Sequence, residues 1–346
     1  MLAVELLAPR ILELRDRRMP EDPGPGEVMV KMKAVGLCGS DMHWYLDGGI
    51  GHVQAAYPMV LGHEPVGEVV AVGPGVTTHA PADRVAIEPS LTCGKCEFCR
   101  LGRPNNCTAC VFMGGPQAPG FFREYAVVPA RNAEKFPKDL DWLPATLIEP
   151  VAVMIHVWEL IDFRPGDTVA VLGAGPIGLL CAVMARLKGA SQVFLADRVP
   201  HRLRIGRQMD PTVIPIDATQ EKIIETILDG TKGRGVDIVF DAAGAPETIL
   251  AGIHAVRPSG QFVLIGIPAG KAPGLDLHMA MHKELRIQTV KRSNHKGRQA
   301  LEWIVDGKIP DTLITHRLPL ENTPEGFDLL REYRDGVGKL VIEMSA

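Results

Sequence analysis

The hydrophobic and polar positions divide the chain into two regimes. Up to about residue 150, short runs that alternate or are rich in β-branched residues ("EVMVKMKAVGL", "GEVVAVGPGV", "DRVAIEP", "REYAVVP") are separated by glycines and prolines. A period of two marks strands with one buried face, and glycine and proline clusters mark the turns between them. This part reads as a β-rich domain of short strands. From about residue 165 strand and helix patterns alternate: "TVAVLGAG" is extended, "PIGLLCAVMARLKGA" helical, "QVFLAD" extended, "QEKIIETILDGTKGRG" helical, "VDIVFDAAG" extended, "PETILAGIHAVRPSG" helical and "QFVLIGI" extended. The strands are mostly continuous apolar runs, as expected where helices cover both faces of a parallel sheet. The fold class is α/β, with a doubly wound parallel sheet beside the β-rich domain. After about residue 290, "RQALEWIVDGKI" and "TPEGFDLLREYRDG" read as helices, and "LITHRLPL" and "GKLVIEM" as strands.

Composition narrows the function. A chain of 346 residues exceeds one ordinary core and suggests two domains. With 46% hydrophobic and 23% charged residues and a mean hydropathy of +0.08, it is compact and soluble in type. Its net charge of -4 provides no basic field for nucleic acid or an anionic membrane, so the expected partner is a small molecule. The opening "MLAVELLAPRILELRDRR" is broken by Glu5, Arg10, Glu13 and Arg15 before a signal sequence can form. The apolar stretch "DTVAVLGAGPIGLLCAVMARL" carries glycines and charges unlike a membrane span. The expectation is a cytoplasmic protein, in which clustered cysteines are metal ligands more often than disulfides.

Gly173-x-Gly175-x-x-Gly178, with Pro176 and Ile177 before its last glycine, follows one predicted strand and opens a helix; Asp197 ends the next strand, nineteen residues on. In a dinucleotide site the first glycine makes the tight turn, the second admits the pyrophosphate and the third packs the helix closely, while the acid binds ribose hydroxyls. Asp197 favours NAD by repelling a 2'-phosphate. Arg198, directly after it, leaves NADP as the alternative, and Arg202 is a further cofactor-binding candidate.

Cys93, Cys96, Cys99 and Cys107 lie within fifteen positions. Four thiolates make a closed tetrahedral zinc site, which is structural and would pin a lobe, about residues 89–112, with little apolar content of its own. Cys110 lies outside the compact set and is the alternate to Cys107. Chemistry must then reside elsewhere. "GLCGSDMHWYLDGGIG" offers Cys38, Ser40, Asp41 and His43, and "GHEPVGEVVAVGPGV" offers His63 and Glu64. Spacing alone leaves open whether Cys38 and His63 are ligands or a small buried thiol and a core histidine.

Together these marks resemble the zinc-dependent medium-chain alcohol dehydrogenases over essentially the whole chain. They are "GHEPVGEVVAVGPGV", which fits GHE-x2-G-x5-G-x2-V, the four-cysteine lobe, and "VLGAGPIG". "GLCGSDMHWYLDGGIG" and "LIEPVAVMIHV" are most similar to the polyol (sorbitol or xylitol) dehydrogenase branch. The resemblance implies a GroES-like catalytic domain over 1–153, a Rossmann coenzyme domain over 154–290, a segment 291–346 returning to the first, and an active site in the cleft between them. It places Cys38 and His63 on catalytic zinc ligands and leaves the third open between Glu64 and Glu149. It further implies a homotetramer or homodimer with "QFVLIGIPAG" near the interface. Two departures fall at turns: Ala82 where relatives carry glycine, and Met209-Asp210-Pro211 in place of Gly-Ala-Asp.

The activity implied is oxidation of a secondary alcohol of a polyol to a ketose, with hydride passing to NAD. Zinc would lower the pKa of the substrate hydroxyl, and Ser40 would pass the proton through the coenzyme ribose to His43. Tyr45, Glu149, Lys291, Arg292 and Asn294 are candidates for the remaining hydroxyls; a related branch carries Arg-Tyr-x-Asn where this chain has Lys291-Arg292-Ser293-Asn294. The rival readings are an L-threonine 3-dehydrogenase and, outside enzymes, a zinc-ribbon binding module, which the acidic balance and the glycine motif oppose.

Overall fold

The structure is a computed structural model that describes residues 1–268 and 274–344. The chain forms two compact units. One gathers Met1–Val153, Ser293–Gly307 and Ile314–Ala346; the other gathers Met154–Arg292 and Lys308–Leu313.

In the first unit the middle strand of a seven-stranded sheet is Glu27–Leu37, buried along most of its length. Glu64–Val72 pairs with it antiparallel on one side and Lys339–Glu343 antiparallel on the other. Gly36 therefore faces Glu64 on one flank and Val341 on the other, which sets the ends of both neighbours beside the strand's exit. Phe121, Phe122, Phe327, Leu6, Met32 and Leu61 fill the core of this unit. Truncating one of these phenylalanines to alanine costs about 3–5 kcal/mol.

The chain leaves Leu37 and turns directly into the helix Gly39–Asp47. Cys38 is its extended N-cap residue, and the carboxylate of Asp41 accepts the Cys38 backbone N–H at 3.0 Å. That bond satisfies a donor which the helix itself cannot pair. Gly48, at φ 66°, ends the helix.

The second unit is built on six parallel strands, in the order Ile214–Asp217, Gln192–Asp197, Thr168–Leu172, Val236–Asp241, Val256–Leu264 and Arg286–Thr289. Strand order reverses at Thr168–Leu172, so the loop that follows it opens at the switch point where such sheets bind ligands.

The pattern places the last apolar strand at "QFVLIGI", after a helix running to Gly260. Instead the helix stops at Ala255 and the strand begins at Val256. The β-branched Val256 and Pro258, which lacks an N–H and crowds a helix interior, account for the earlier change. Among the described residues no helix is long and apolar enough to cross a membrane. Ala269 and Gly270 of "QFVLIGIPAG" lie outside the described residues.

Candidate active site

Cys38, His63 and Glu64 come together in the first unit, with one donor atom of each within 4.8 Å of the others. The strand register explains the meeting: Cys38 follows the middle strand, and Glu64 begins its neighbour opposite Gly36.

Asp41, quoted from the sequence without a role, organises this cluster. It is fully buried, and besides the Cys38 N–H it accepts the Gly62 N–H at 3.1 Å and faces His63 Nδ1 at 3.3 Å. A carboxylate on Nδ1 fixes the ring and turns Nε2 outward as the free donor. Burial alone would lower the His63 pKa; the charges and hydrogen bonds of Asp41 and Cys38 outweigh it and hold it well above the ordinary value. Ser40 Oγ stands 3.3 Å from that Nε2, and the ring of Phe112 packs on His63 with centroids 5.4 Å apart.

Lys339 is the second residue that the sequence reading missed. Its ammonium forms an ion pair with Glu64 Oε2 and donates to the Leu37 carbonyl at 3.0 Å, with both side chains almost wholly buried. Burial alone would lower its pKa, but the charges of Glu64, Cys38 and Glu149 raise it, so it stays an ammonium. Gly36 makes the pair possible, since an added Cβ there would lie 2.0 Å from Glu64 Oε2. Glu64 Oε1 is buried and has no hydrogen-bond partner. An orphaned carboxylate oxygen beside a thiol and an imidazole nitrogen suits zinc, which takes S, N and O donors.

Glu149 lies in the first turn of the helix Ile148–Glu159, outside the three-residue group. Its carboxyl is pushed up to about 8, first by burial and then by the charges of Glu64 and Glu88, against the opposing effect of His63 and Lys339. It lines a small pocket together with Glu64, Glu88, Thr146 and Gly297. On the helix Gly39–Asp47, His43 Nδ1 pairs with Asp47 at 3.1 Å and is partly exposed.

Four of the other six cysteines form the second cluster. Cys93, Cys96, Cys99 and Cys107 bring their sulfurs within 4.8 Å of one another, and all seven cysteines are unbridged. Backbone N–H groups of Cys99 and Thr108 hold the Cys96 thiol down to about 6, whereas desolvation and neighbouring Cys96 and Cys107 push Cys99 up to about 12. Four sulfurs this close ionise together only around a cation, the condition a tetrahedral zinc ion meets. Cys110 is not in the cluster.

In the second unit each glycine of the motif has a separate reason. Gly173 sits at φ 102°, and a Cβ on Gly178 would fall 1.7 Å from the Gly173 carbonyl oxygen. A Cβ on Gly175 would meet nothing within 4 Å, so no protein contact demands glycine there. Open space at the N-cap of the helix Pro176–Leu187 fits the close approach of a pyrophosphate. Asp197 is pinned against this loop, accepting the Ala174 N–H at 2.6 Å and the Val199 N–H at 2.8 Å. Arg198 is exposed beside it, and Arg202 lies on the helix Pro200–Met209.

The candidates for substrate contact separate. The Tyr45 ring packs on Phe327 with centroids 4.9 Å apart and its hydroxyl bonds Asp328, which makes it a core residue. Asn294 donates to the Gly102 carbonyl of the cysteine lobe at 3.0 Å. Lys291 is exposed and Arg292 half-buried.

Comparison with known proteins agrees with this chemistry. Residues 24–138 match the alcohol dehydrogenase GroES-like domain, and residues 176–306 match the zinc-binding dehydrogenases. Sorbitol dehydrogenase of Bacillus subtilis (strain 168) is 33% identical over 333 residues, 95% of this chain and 94% of that protein. The chain belongs to the zinc-dependent medium-chain dehydrogenases. D-xylulose reductase A of Aspergillus oryzae is 33% identical to this dehydrogenase over 321 residues, covering 91% and 89% of the two chains. A crystal structure named short chain alcohol dehydrogenase, from Escherichia coli CFT073 in complex with NADH, superposes with a TM-score of 0.90 at 31% identity, covering 99% of each chain. As a member of this family, the protein is an oxidoreductase that acts on a small-molecule alcohol.

Proposed function

We propose that this dehydrogenase oxidises a secondary hydroxyl of a sugar alcohol to the ketose, with NAD taking the hydride. The observation that carries the reading is the mixed donor set of Cys38, His63 and Glu64, with a free buried oxygen on Glu64, in a chain 33% identical to a sorbitol dehydrogenase.

Cys38, His63 and Glu64 would hold the catalytic zinc, and Cys93, Cys96, Cys99 and Cys107 the structural one. When bound, the catalytic zinc supplies a Lewis acid that lowers the pKa of the substrate hydroxyl, and the coenzyme supplies the hydride acceptor. Glu64 rather than Glu149 is the third ligand, because Glu64 shares the cluster with Cys38 and His63 and Glu149 does not. Glu149, held neutral by burial, can donate a hydrogen bond to a second substrate hydroxyl. Ser40 Oγ receives the proton of the reacting hydroxyl as its own hydroxyl proton moves on toward His43. His43, paired through Nδ1 to Asp47, takes a proton at Nε2 and returns it to water. Asp197 orients the ribose and selects NAD over NADP, while Gly173, Gly175 and Gly178 seat the pyrophosphate.

The seven cysteines, none of them in a disulfide, suit a reducing cytoplasm. A homodimer or homotetramer is supported by Leu277 and Met281, which stand 59% and 81% exposed in the second unit. Light scattering at the mass of one 37.5 kDa chain would oppose it.

The test is the initial rate of NAD reduction on sorbitol, xylitol, galactitol, ribitol, L-threonine and 2-propanol. Turnover concentrated on polyols and on NAD rather than NADP is expected. A preference for L-threonine would replace this reading with the amino-alcohol one.

A further inference from the structure

We propose that the four-cysteine lobe is a positioning device for the substrate site, acting through the hydrogen bond from Asn294 to Gly102. The inference rests on the sugar-alcohol reading above and extends it to a structure outside the reacting centre.

The lobe has little to fix its shape except its thiolates. Its helix Glu97–Arg100 buries no side chain, and Gly102 lies between Cys99 and Cys107, with its N–H on the Cys99 carbonyl and the next N–H, that of Arg103, on the Phe98 carbonyl. The position of the Gly102 carbonyl therefore follows from how Cys99 and Cys107 are held, which is set by their metal.

Asn294 Nδ2 donates to that carbonyl at 3.0 Å. The turn it belongs to is not a relaxed one. Arg292 and His295, on either side of Ser293 and Asn294, both have left-handed backbones, at φ 56° and 53°. Such residues cost on the order of 1–2 kcal/mol each and persist only where surrounding contacts enforce them. Two contacts do so here: Ser293, almost fully buried, accepts the Lys296 N–H at 3.3 Å, and Asn294 is tied to the lobe.

The far end of the turn reaches the site. Gly297 lines the same pocket as Glu64 and Glu149. The chain from lobe to site is thus short: Cys99 and Cys107, the Gly102 carbonyl, Asn294, Gly297, then the pocket with its two glutamates. Releasing the turn should therefore weaken polyol binding while leaving the hydride step intact.

The experiment compares wild type, Asn294→Ala, Cys99→Ser and the double variant, with zinc counted on each. Trypsin cleavage after Lys296 reports the turn without any assay of activity. Losing one hydrogen bond should speed that cut roughly five- to tenfold in Asn294→Ala, which still carries both zinc ions, and raise KM for xylitol by a similar factor with kcat within about twofold. Cys99→Ser should speed the cut as much, and the double variant no further, because both lesions break the same link. Wild-type cutting of Asn294→Ala, additive effects in the double variant, or faster cutting with unchanged KM would each overturn the proposal. If wild type oxidises no polyol, the functional reading falls and takes the substrate half of this one with it; the proteolysis comparison still decides whether the lobe holds the turn.

Discussion

Lys339 and Glu64 form a buried ion pair across Gly36, their side chains 1% and 0% exposed. They come from the two strands that flank the same central strand, and they meet because the residue between them has no side chain. The pair engages Oε2 of Glu64 while Oε1 is left for a metal. Removing either condition should damage the centre. Lys339→Met strands a buried carboxylate, at a cost of about 3–5 kcal/mol, and Gly36→Ala drives a methyl group into that carboxylate. Both variants should lose one zinc ion per chain and retain the other, as counted by atomic emission alongside urea unfolding. Full zinc content in Lys339→Met would show that Glu64 needs no partner.

The lobe cysteines should be separable from the rest by counting. Cys99→Ser is expected to bind one zinc ion fewer and to become sensitive to protease across the lobe, since thiolate bonding substitutes there for a core. Cys110→Ser should bind as much zinc as wild type, because Cys110 stands outside the four-sulfur cluster.

Ala82 has its backbone at φ 71°. An L-residue with a side chain is strained in that region, so Ala82→Gly should raise stability by about 1 kcal/mol, less the added freedom of the unfolded chain, with activity unchanged. Denaturant midpoints of the two proteins decide it; a lower midpoint for the variant would contradict the assignment of strain.

In the second unit Asp237 gives stability a predictable pH dependence. Burial alone would raise its carboxyl; hydrogen bonds from Arg234, the Thr168 N–H, Arg257 and the Thr168 hydroxyl outweigh burial and hold it well below the ordinary 3.8. The folded state therefore binds this proton less readily than the unfolded state. Its contribution is complete above about pH 4 and is lost as pH falls through the depressed folded value. Asp237→Asn should lower stability by about 2–3 kcal/mol at pH 7, and the gap should narrow below pH 4. A gap that widened in acid would reverse the sign argued here.

Much of the fold is legible in the chain because its signals are local. The glycine motif sits where strand gives way to helix, and the cysteines declare their cluster through spacing alone. The alternating runs of the first 150 residues give the strands of the central sheet. Lys339 was not legible: a lysine at the head of an apolar strand reads as an exposed strand end, and only the pairing of Lys339–Glu343 with Glu27–Leu37 carries it inside. Asp41 is hidden for a similar reason, since its three partners include Gly62 and His63, more than twenty residues away. Tyr45, attractive beside His43 in sequence, points the other way round its helix, into Phe327. Pairing register and helix phase, which decide what a side chain meets, arise from contacts distant in sequence.

Cys38, His63 and Glu64 would hold a zinc ion, separate from that of the cysteine lobe, where a sugar alcohol gives its hydride to NAD. The most direct test is NAD reduction by His63→Ala with xylitol, on a sample whose zinc has been counted. One zinc ion should remain, in the lobe, and turnover should fall by at least about three orders of magnitude, the scale of losing a principal stabiliser of the transition state. Turnover near the wild-type rate would place the chemistry elsewhere.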